Sequence, residues 1–288
     1  MRQLCGAMCL STQAFDKALK RLSCASSDRK PARRKPQPNM TVSDARLCEE
    51  ILRVKGQDAA EFWGHRKVWA ILRHQESLVV SHNRVWKMMG ALGLLMPATG
   101  PHSLHARTGT VAVPESNRRW GTDLTTVWTR QDGVVAVAPV IDFGDRDLLA
   151  IGVSQSQEAE IVLAPLRTAL HDAFGTPEGA PDGIELRMDN GPQYRGSVCR
   201  DLCEDWHLAQ SFTPVATPTG NAITERVILT MKTELIWARD WESAQELREA
   251  LEAWRIIYNH RRPHESLGWM TPAQKRAENL EAATVAAA

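Results

Sequence analysis

No stretch of this sequence is apolar for long enough to cross a bilayer, which takes about 20 consecutive residues. The first residues hold no signal-peptide core either, because Met1–Leu10 is soon followed by Asp16, Lys17 and Lys20. Those two absences predict a cytoplasmic protein. Cys-x-x-Cys spacing is missing among Cys5, Cys9, Cys24 and Cys48, and a reducing compartment disfavours disulfides. Cys199, Cys203 and His207 do recur at i, i+4 and i+8, but no fourth zinc ligand joins them. They read better as a core-facing helical stripe, since free cysteine behaves as a small hydrophobe. Net charge is nearly absent as well, at +1.

That near-neutral total hides an asymmetry. Residues 1–119 hold 20 Lys/Arg against 9 Asp/Glu, net +11, and residues 120–288 hold 15 against 25, net −10. A basic half suits a polyanionic partner, because neutralising phosphates releases counterions; the alternative is plain solvated surface charge. With 288 residues, 43% hydrophobic and 24% charged, the chain has material for about two globular domains.

Three carboxylates stand out by their surroundings. Asp189 ends an apolar run and meets the turn signal Asn190-Gly191-Pro192, which puts it at the lip of a strand. Asp123 closes W-G-T-D at the start of another strand-like run. Glu225 opens a helical pattern in which Ile223, Val227, Met231 and Leu235 form an apolar stripe, while Glu225 and Lys232 share a different face. Acids from separate elements suit hard divalent cations, which prefer oxygen ligands. Asp142, Asp145 and Asp147 also lie near strand ends, where turn or capping roles are the ordinary reading.

The words around these acids are W-x-x-D-x-T at Asp123, D-N-G-P-Q-Y at Asp189 and G-N-A-I-T-E-R-V-I-L-T-M-K at Glu225, with thirty-five residues between the last two acids. Y-N-H-R-R-P-H-E-S-L-G-W-M-T-P follows from Tyr258 to Pro272. This ordered set resembles the D-D-E triad of the retroviral-integrase superfamily. It is more closely similar to the second-frame (OrfB) transposase proteins of bacterial insertion sequences, over roughly residues 41–275. The resemblance implies a ribonuclease-H-like α/β catalytic core with an N-terminal all-α helix-turn-helix module. It further implies cleavage and joining of DNA strands with two Mg²⁺ ions, for which Mn²⁺ substitutes. Asp123 would bridge the ions, and Asp189 and Glu225 would each complete one. Lys232 and Arg226 are the implied contacts to the element end; a surface salt bridge is the other reading of Arg226. DNA ends and target, a homo-oligomer on DNA and an upstream-frame partner or fusion are the implied partners, with a nucleoid-associated location and no membrane. A same-fold structure-selective nuclease and a non-catalytic DNA-binding regulator are the rival readings.

The rest of the chain divides accordingly. Residues 1–40 read as a partial helix-turn-helix-like segment, then a basic, proline-bearing linker; a short or missing first helix would fit a fused N-terminus. Residues 41–97 form a helical DNA-binding module, with one helix from about Thr41 to Leu52, a second from Phe62 to Arg73 and a third from Ser81 to Leu95. Val42, Leu47, Ile51 and Leu52 make the first apolar face; Trp69, Leu72, Val85, Met88, Met89 and Leu92 belong to its core. Arg66, Lys67, Asn83, Arg84 and Lys87 are the candidate groove- and phosphate-facing residues. Residues 98–119 are a bridge, 120–275 the catalytic core and 276–288 a tail. Within the core, three strand-like runs between Trp120 and Val153 open a β-β-β-α-β-α-β-α order, with Ile184–Met188 the fourth strand and helices near Gln157–Phe174, Val198–Trp206 and Ser243–Asn259. Trp237, Trp241 and Trp254 are expected in the core rather than as base-stacking platforms.

Overall fold

The computed structural model describes residues 42–57, 60–97, 113–213 and 221–287. The segment read at residues 1–40, most of the bridge and the loop 214–220 lie outside them.

The described chain opens with three helices, α1 (Asp44–Lys55), α2 (His65–Ala70) and α3 (His82–Ala91). The Ser43 hydroxyl caps α1 by accepting the Arg46 N–H at 3.3 Å. A π-helical turn, Ile71–Gln75, prolongs α2. Leu47, Ile51 and Val54 repeat at helical spacing and pack with Trp63, Val68, Leu72, Val85 and Met89 in one buried cluster. Leu52 falls one position beyond that stripe and is 50% exposed, contrary to its expected place in the apolar face.

The core is a single six-stranded sheet of β1 (Arg119–Thr122), β2 (Thr125–Thr129), β3 (Gly133–Asp142), β4 (Leu148–Ser154), β5 (Glu185–Met188) and β6 (Ala209–Phe212). β4 lies on one edge of β3, and β1 and β2 share the other; β5 and β6 continue parallel to β1. This is the ribonuclease-H-like order expected. α4 (Ala159–Val162), α5 (Ala164–Phe174), α6 (Pro192–Arg195) and α7 (Ser197–Asp205) follow β4 and β5. Side chains alternate along β3: Ala138 and Val140 join the cluster with Leu166, Leu170, Cys199 and Cys203, whereas Val135, Val137 and Ile141 face the other way. That second face is covered by α8 (Ala222–Glu234) and α9 (Ala244–His260) through Val227, Met231, Leu247, Leu251 and Trp254. A last helix, α10, runs from Pro272 to Ala287. Cys199 and Cys203 are buried as the stripe reading expects, but His207 is turned out. Trp241 and Trp254 are core; Trp237 is 65% exposed, against expectation.

The first strand, read as one run, is two. β1 and β2 keep one register against β3: Thr122 faces Val140 and Thr125 faces Val137, so Asp123 falls opposite Pro139. Phe143 N–H donates to Arg119 O at 2.8 Å, and hydrogen-bonded pairs recur at every second position from there. The Asp123/Pro139 pair is one of them, and proline has no N–H to give. The ladder opens at that point, and the Asp123 carboxylate turns back to accept the Leu124 N–H at 2.8 Å.

The stretch from residue 276 is likewise no tail. Arg276 on α10 reaches Asp145 at 3.0 Å and Asp142 and Asp147 at 3.5 Å. Asp142 also takes the N–H groups of Asn117 and Gly144, the turn role read for it. Burial, then the Asp145 charge, pushes the Asp142 carboxyl up to about 7.

Candidate active site and nucleic-acid interface

Each of the three acids is placed by a local device. Asp123 is set by the strand opening just described. Asp189 follows β5, where its Oδ1 accepts the Gly191 N–H at 2.9 Å. Asn190 donates to Thr213 O at 2.7 Å, and Thr213 N–H donates to Met188 O at 2.9 Å, so the turn is tied to the end of β6. Glu225 stands in the first turn of α8, whose entry is pinned by Asn221 donating to Thr122 O at 3.4 Å, one residue before Asp123. Gly121 lets that helix close on the sheet. A Cβ there would lie 2.5 Å from Thr224 Oγ1 and closer still to the Phe143 ring. Asn221 lies inside the motif around Glu225, yet its spacing signalled no role; the contact with β1 supplies one.

These devices bring the acids into one electrostatic neighbourhood. Asp123 is half-buried and its carboxyl is pushed up to about 6, first by burial and then by the charges of Asp189 and Glu225. The Leu124 N–H and the Lys232 ammonium pull the other way without prevailing. The Lys232 charge on α8 thus acts on Asp123 as well. Tyr194 is buried behind the two aspartates, and burial, then those charges, holds its phenol protonated.

Among the described residues, no three His, Cys, Asp or Glu side chains already close on one ion position. The donor set nevertheless suits a hard cation: all three groups offer anionic oxygen, and their mutual repulsion at Asp123 is what a divalent ion relieves. A proton competes for the same oxygen. The raised value means that Asp123 is neutral below about pH 6 and ionised above it. The apparent affinity for Mn²⁺, measured calorimetrically, should weaken by about tenfold per pH unit below about 6. An affinity unchanged between pH 5 and pH 7 would remove Asp123 from the ligand set.

The basic residues part company. Arg66 and Lys87 are exposed, and Arg66 lies 3.5 Å from Glu265. Arg84 turns inward, donating to Asp44 and to Val42 O at 2.7 Å. Lys67 is directed away from solvent and meets Glu234 of α8 at 3.0 Å. Glu234 is 5% exposed and also takes the Arg262 guanidinium at 3.1 Å. Burial works to raise the Glu234 carboxyl, but Arg262 and Lys67 outweigh it and hold it below the usual range. Burial, with repulsion from Arg262, brings the Lys67 ammonium down to about 8. Arg226 is exposed on α8 beside Glu225, and no ion pair engages it among the described residues.

The Tyr258–Pro272 signature is the fastening between module and core. Trp269 meets Trp69 edge-on at 5.6 Å, Arg261 O accepts from Gln75 at 3.3 Å, and Arg261 donates to Gln57. Asn259 pairs both its amide groups with Leu148 at the start of β4, where the pairing with β3 slips by one residue.

Comparison with known proteins places the same regions together. Two models described as "Integrase core domain" match residues 113–218 and 207–272, and one described as "HTH-like domain" matches residues 45–102. The chain is 31% identical over 224 residues to the transposase InsD for insertion element IS2A/D/F/H/I/K of Escherichia coli, covering 74% of this chain and 72% of that one. InsD for insertion element IS2-9 of Escherichia coli K12 is also 31% identical, with 74% and 71% covered. Among solved structures, the simian T-cell lymphotropic virus intasome in complex with PP2A regulatory subunit B56 gamma aligns at a TM-score of 0.49 and 15% identity, over 72% of this chain and 73% of that one.

Proposed function

We propose, for a chain that belongs to the insertion-element transposases carrying an integrase core, that Asp123, Asp189 and Glu225 are the carboxylates with which it cleaves and joins DNA strands. The observation that carries this reading is the convergence at Asp123 of charges from three separate elements, the β1–β2 break, the end of β5 and the first turn of α8. The three acids would hold two Mg²⁺ ions, or Mn²⁺ in their place. Bound divalent ions supply Lewis-acid stabilisation of charge on the attacking and leaving oxygens. Water attacks the phosphorus at the element end and the 3′-oxygen leaves as a hydroxyl. That hydroxyl then attacks a phosphodiester of the target strand, so no covalent enzyme–DNA intermediate is needed.

The remaining residues bind and orient. Lys232 stands about two turns, roughly 10 Å, along α8 from Glu225 and holds the strand beyond the scissile phosphate. Arg226, Arg66 and Lys87 are the exposed cations for the flanking backbone. Lys67 and Arg84 stand behind that surface and keep the module in shape. Assembly as a homo-oligomer on DNA, with an upstream-frame partner or fusion, in the nucleoid-containing cytoplasm, completes the proposal. No helix among the described residues is long and apolar enough to cross a membrane.

A strand-transfer assay with labelled element ends and Mg²⁺ tests the reading. Joined product is expected. Hydrolysis without joining would leave a nuclease, and binding without either would leave a regulator. In the same assay Lys232→Ala should lower processing of the cognate end by about tenfold or more, corresponding to roughly 1–3 kcal/mol of lost end contact. Non-specific nicking should fall much less. Equal losses would make Lys232 a general phosphate contact, and no loss would return it to the solvated surface.

A further inference from the structure

Across α8 from Glu225 lies a cavity of about 680 Å³, walled by the start of α2, the outer face of α8 and the signature loop that follows α9. Its volume is within the range of about 300–1,000 Å³ that encloses small ligands, and it is far too small for a duplex. Trp269, half-buried, is the aromatic wall open to a ligand, since Phe143 and Tyr258 belong to the buried core; Arg146 and Arg226 give the cavity charge, and Arg66 there is paired with Glu265. Arg226 forms no ion pair among the described residues; Arg146 donates to Phe143 O at 2.6 Å and feels the charges of Asp142 and Asp145 without a close ion pair to either. Lys67 and Arg262, which also line the cavity, are already matched by Glu234 behind it.

Backbone strain collects at the same place. Five non-glycine residues among those described have positive φ, and two of them, Arg146 at 64° and Trp269 at 73°, line this one cavity. Arginine and tryptophan gain nothing from the left-handed region, which is strained for them and recurs at ligand clamps. Both residues, one guanidinium and one indole, line the same space.

We infer that this cavity takes a single unpaired nucleotide of a DNA strand that crosses α8 from the carboxylates, its base against Trp269 and its phosphate between Arg146 and Arg226. The inference rests on the transposase reading for the identity of the polymer. Aromatic walls bind any base through its π-face, and guanidinium groups bind the phosphate through paired N–H donors.

The test uses the full chain and a fluorescein-labelled hexathymidylate in which one base is 5-iodouracil. Irradiation should crosslink it to the peptide bearing Trp269. Binding read by fluorescence anisotropy should weaken at least tenfold in Ser266→Trp, which fills the exposed mouth, and in Arg146→Gln, with circular dichroism unchanged. Thymidine monophosphate should displace the probe at least tenfold better than inorganic phosphate. Crosslinks confined to other surfaces, affinities within twofold of the parent in the folded variants, or equal displacement by inorganic phosphate would each overturn the inference. If either variant misfolds, Arg226→Gln on the exposed helix surface supplies the same affinity readout. A chain that joins element ends yet never crosslinks in the cavity sinks this inference alone, and one that crosslinks there but never cleaves sinks the catalytic reading alone.

Discussion

Glu225→Gln should lower DNA cleavage and joining by about a thousandfold or more, and Asp123→Asn and Asp189→Asn should do the same. An amide keeps the shape of each side chain and removes the anion that a divalent ion requires. The three variants should nevertheless differ in stability. Glu225 is exposed, so its replacement should leave unfolding unchanged. Asp123 is half-buried with its carboxyl raised to about 6, so the unfolded chain ionises more readily than the folded one. Its ionisation therefore opposes folding progressively as pH rises from the ordinary carboxylate value through about 6, and fully above that. Without divalent ions at pH 7, Asp123→Asn should unfold at a higher temperature than the parent while being inactive. Joining retained by any one variant, with Mg²⁺ or Mn²⁺, would remove that residue from the triad. An Asp123→Asn chain less stable than the parent would mean that the carboxylate is a structural anchor.

Glu234→Ala should cost about 3–5 kcal/mol of stability, the usual effect of leaving buried charge uncompensated. Here two cations are orphaned at once. Arg262 loses its bidentate partner in the core, and Lys67 loses the ion pair that links the helical module to α8. Glu234→Gln keeps the side-chain volume and some hydrogen bonding, so its loss should be smaller. Urea unfolding measures both. A loss below about 1 kcal/mol for Glu234→Ala would show that water reaches the cations once the carboxylate is gone. The same variant should expose the helical module to protease earlier than the catalytic core, because the Lys67–Glu234 contact being cut is one between them.

The carboxylates and the closing signature were legible because each sits in a short word of turn formers, helix formers and acids whose order is itself informative. The alternation of Ala138 and Val140 against Val135, Val137 and Ile141 was equally open to reading, since a strand repeats every two residues. The split of the first strand was not. It depends on Pro139 landing opposite Asp123, and register is a relation between two segments that neither displays alone. The inward turn of Lys67 was hidden for a similar reason: its partner Glu234 is 167 residues away. As a lysine next to Arg66 on α2 it has the same local surroundings as that residue, which is exposed. Trp237 reads as core by residue type, but it follows the end of α8, where the apolar stripe has already left the sheet. The cavity beside α8 arises only where three distant segments meet, and of its features only the signature was marked in the sequence.

The fastening of the helical module by Trp269, Arg261 and Glu234 has a consequence for length. A reading head on a free tether finds its sequence and leaves the cut to fall wherever the tether allows. If α3 reads the element end and the three acids cut it, as the proposed function has it, their packing on one frame would set the number of base pairs between recognised sequence and scissile bond by protein dimensions. The frame would then work as a calliper. Lengthening the DNA between those two points by half a helical turn, about five base pairs, would present the wrong face of the duplex to the acids, whereas a flexible tether would follow it round.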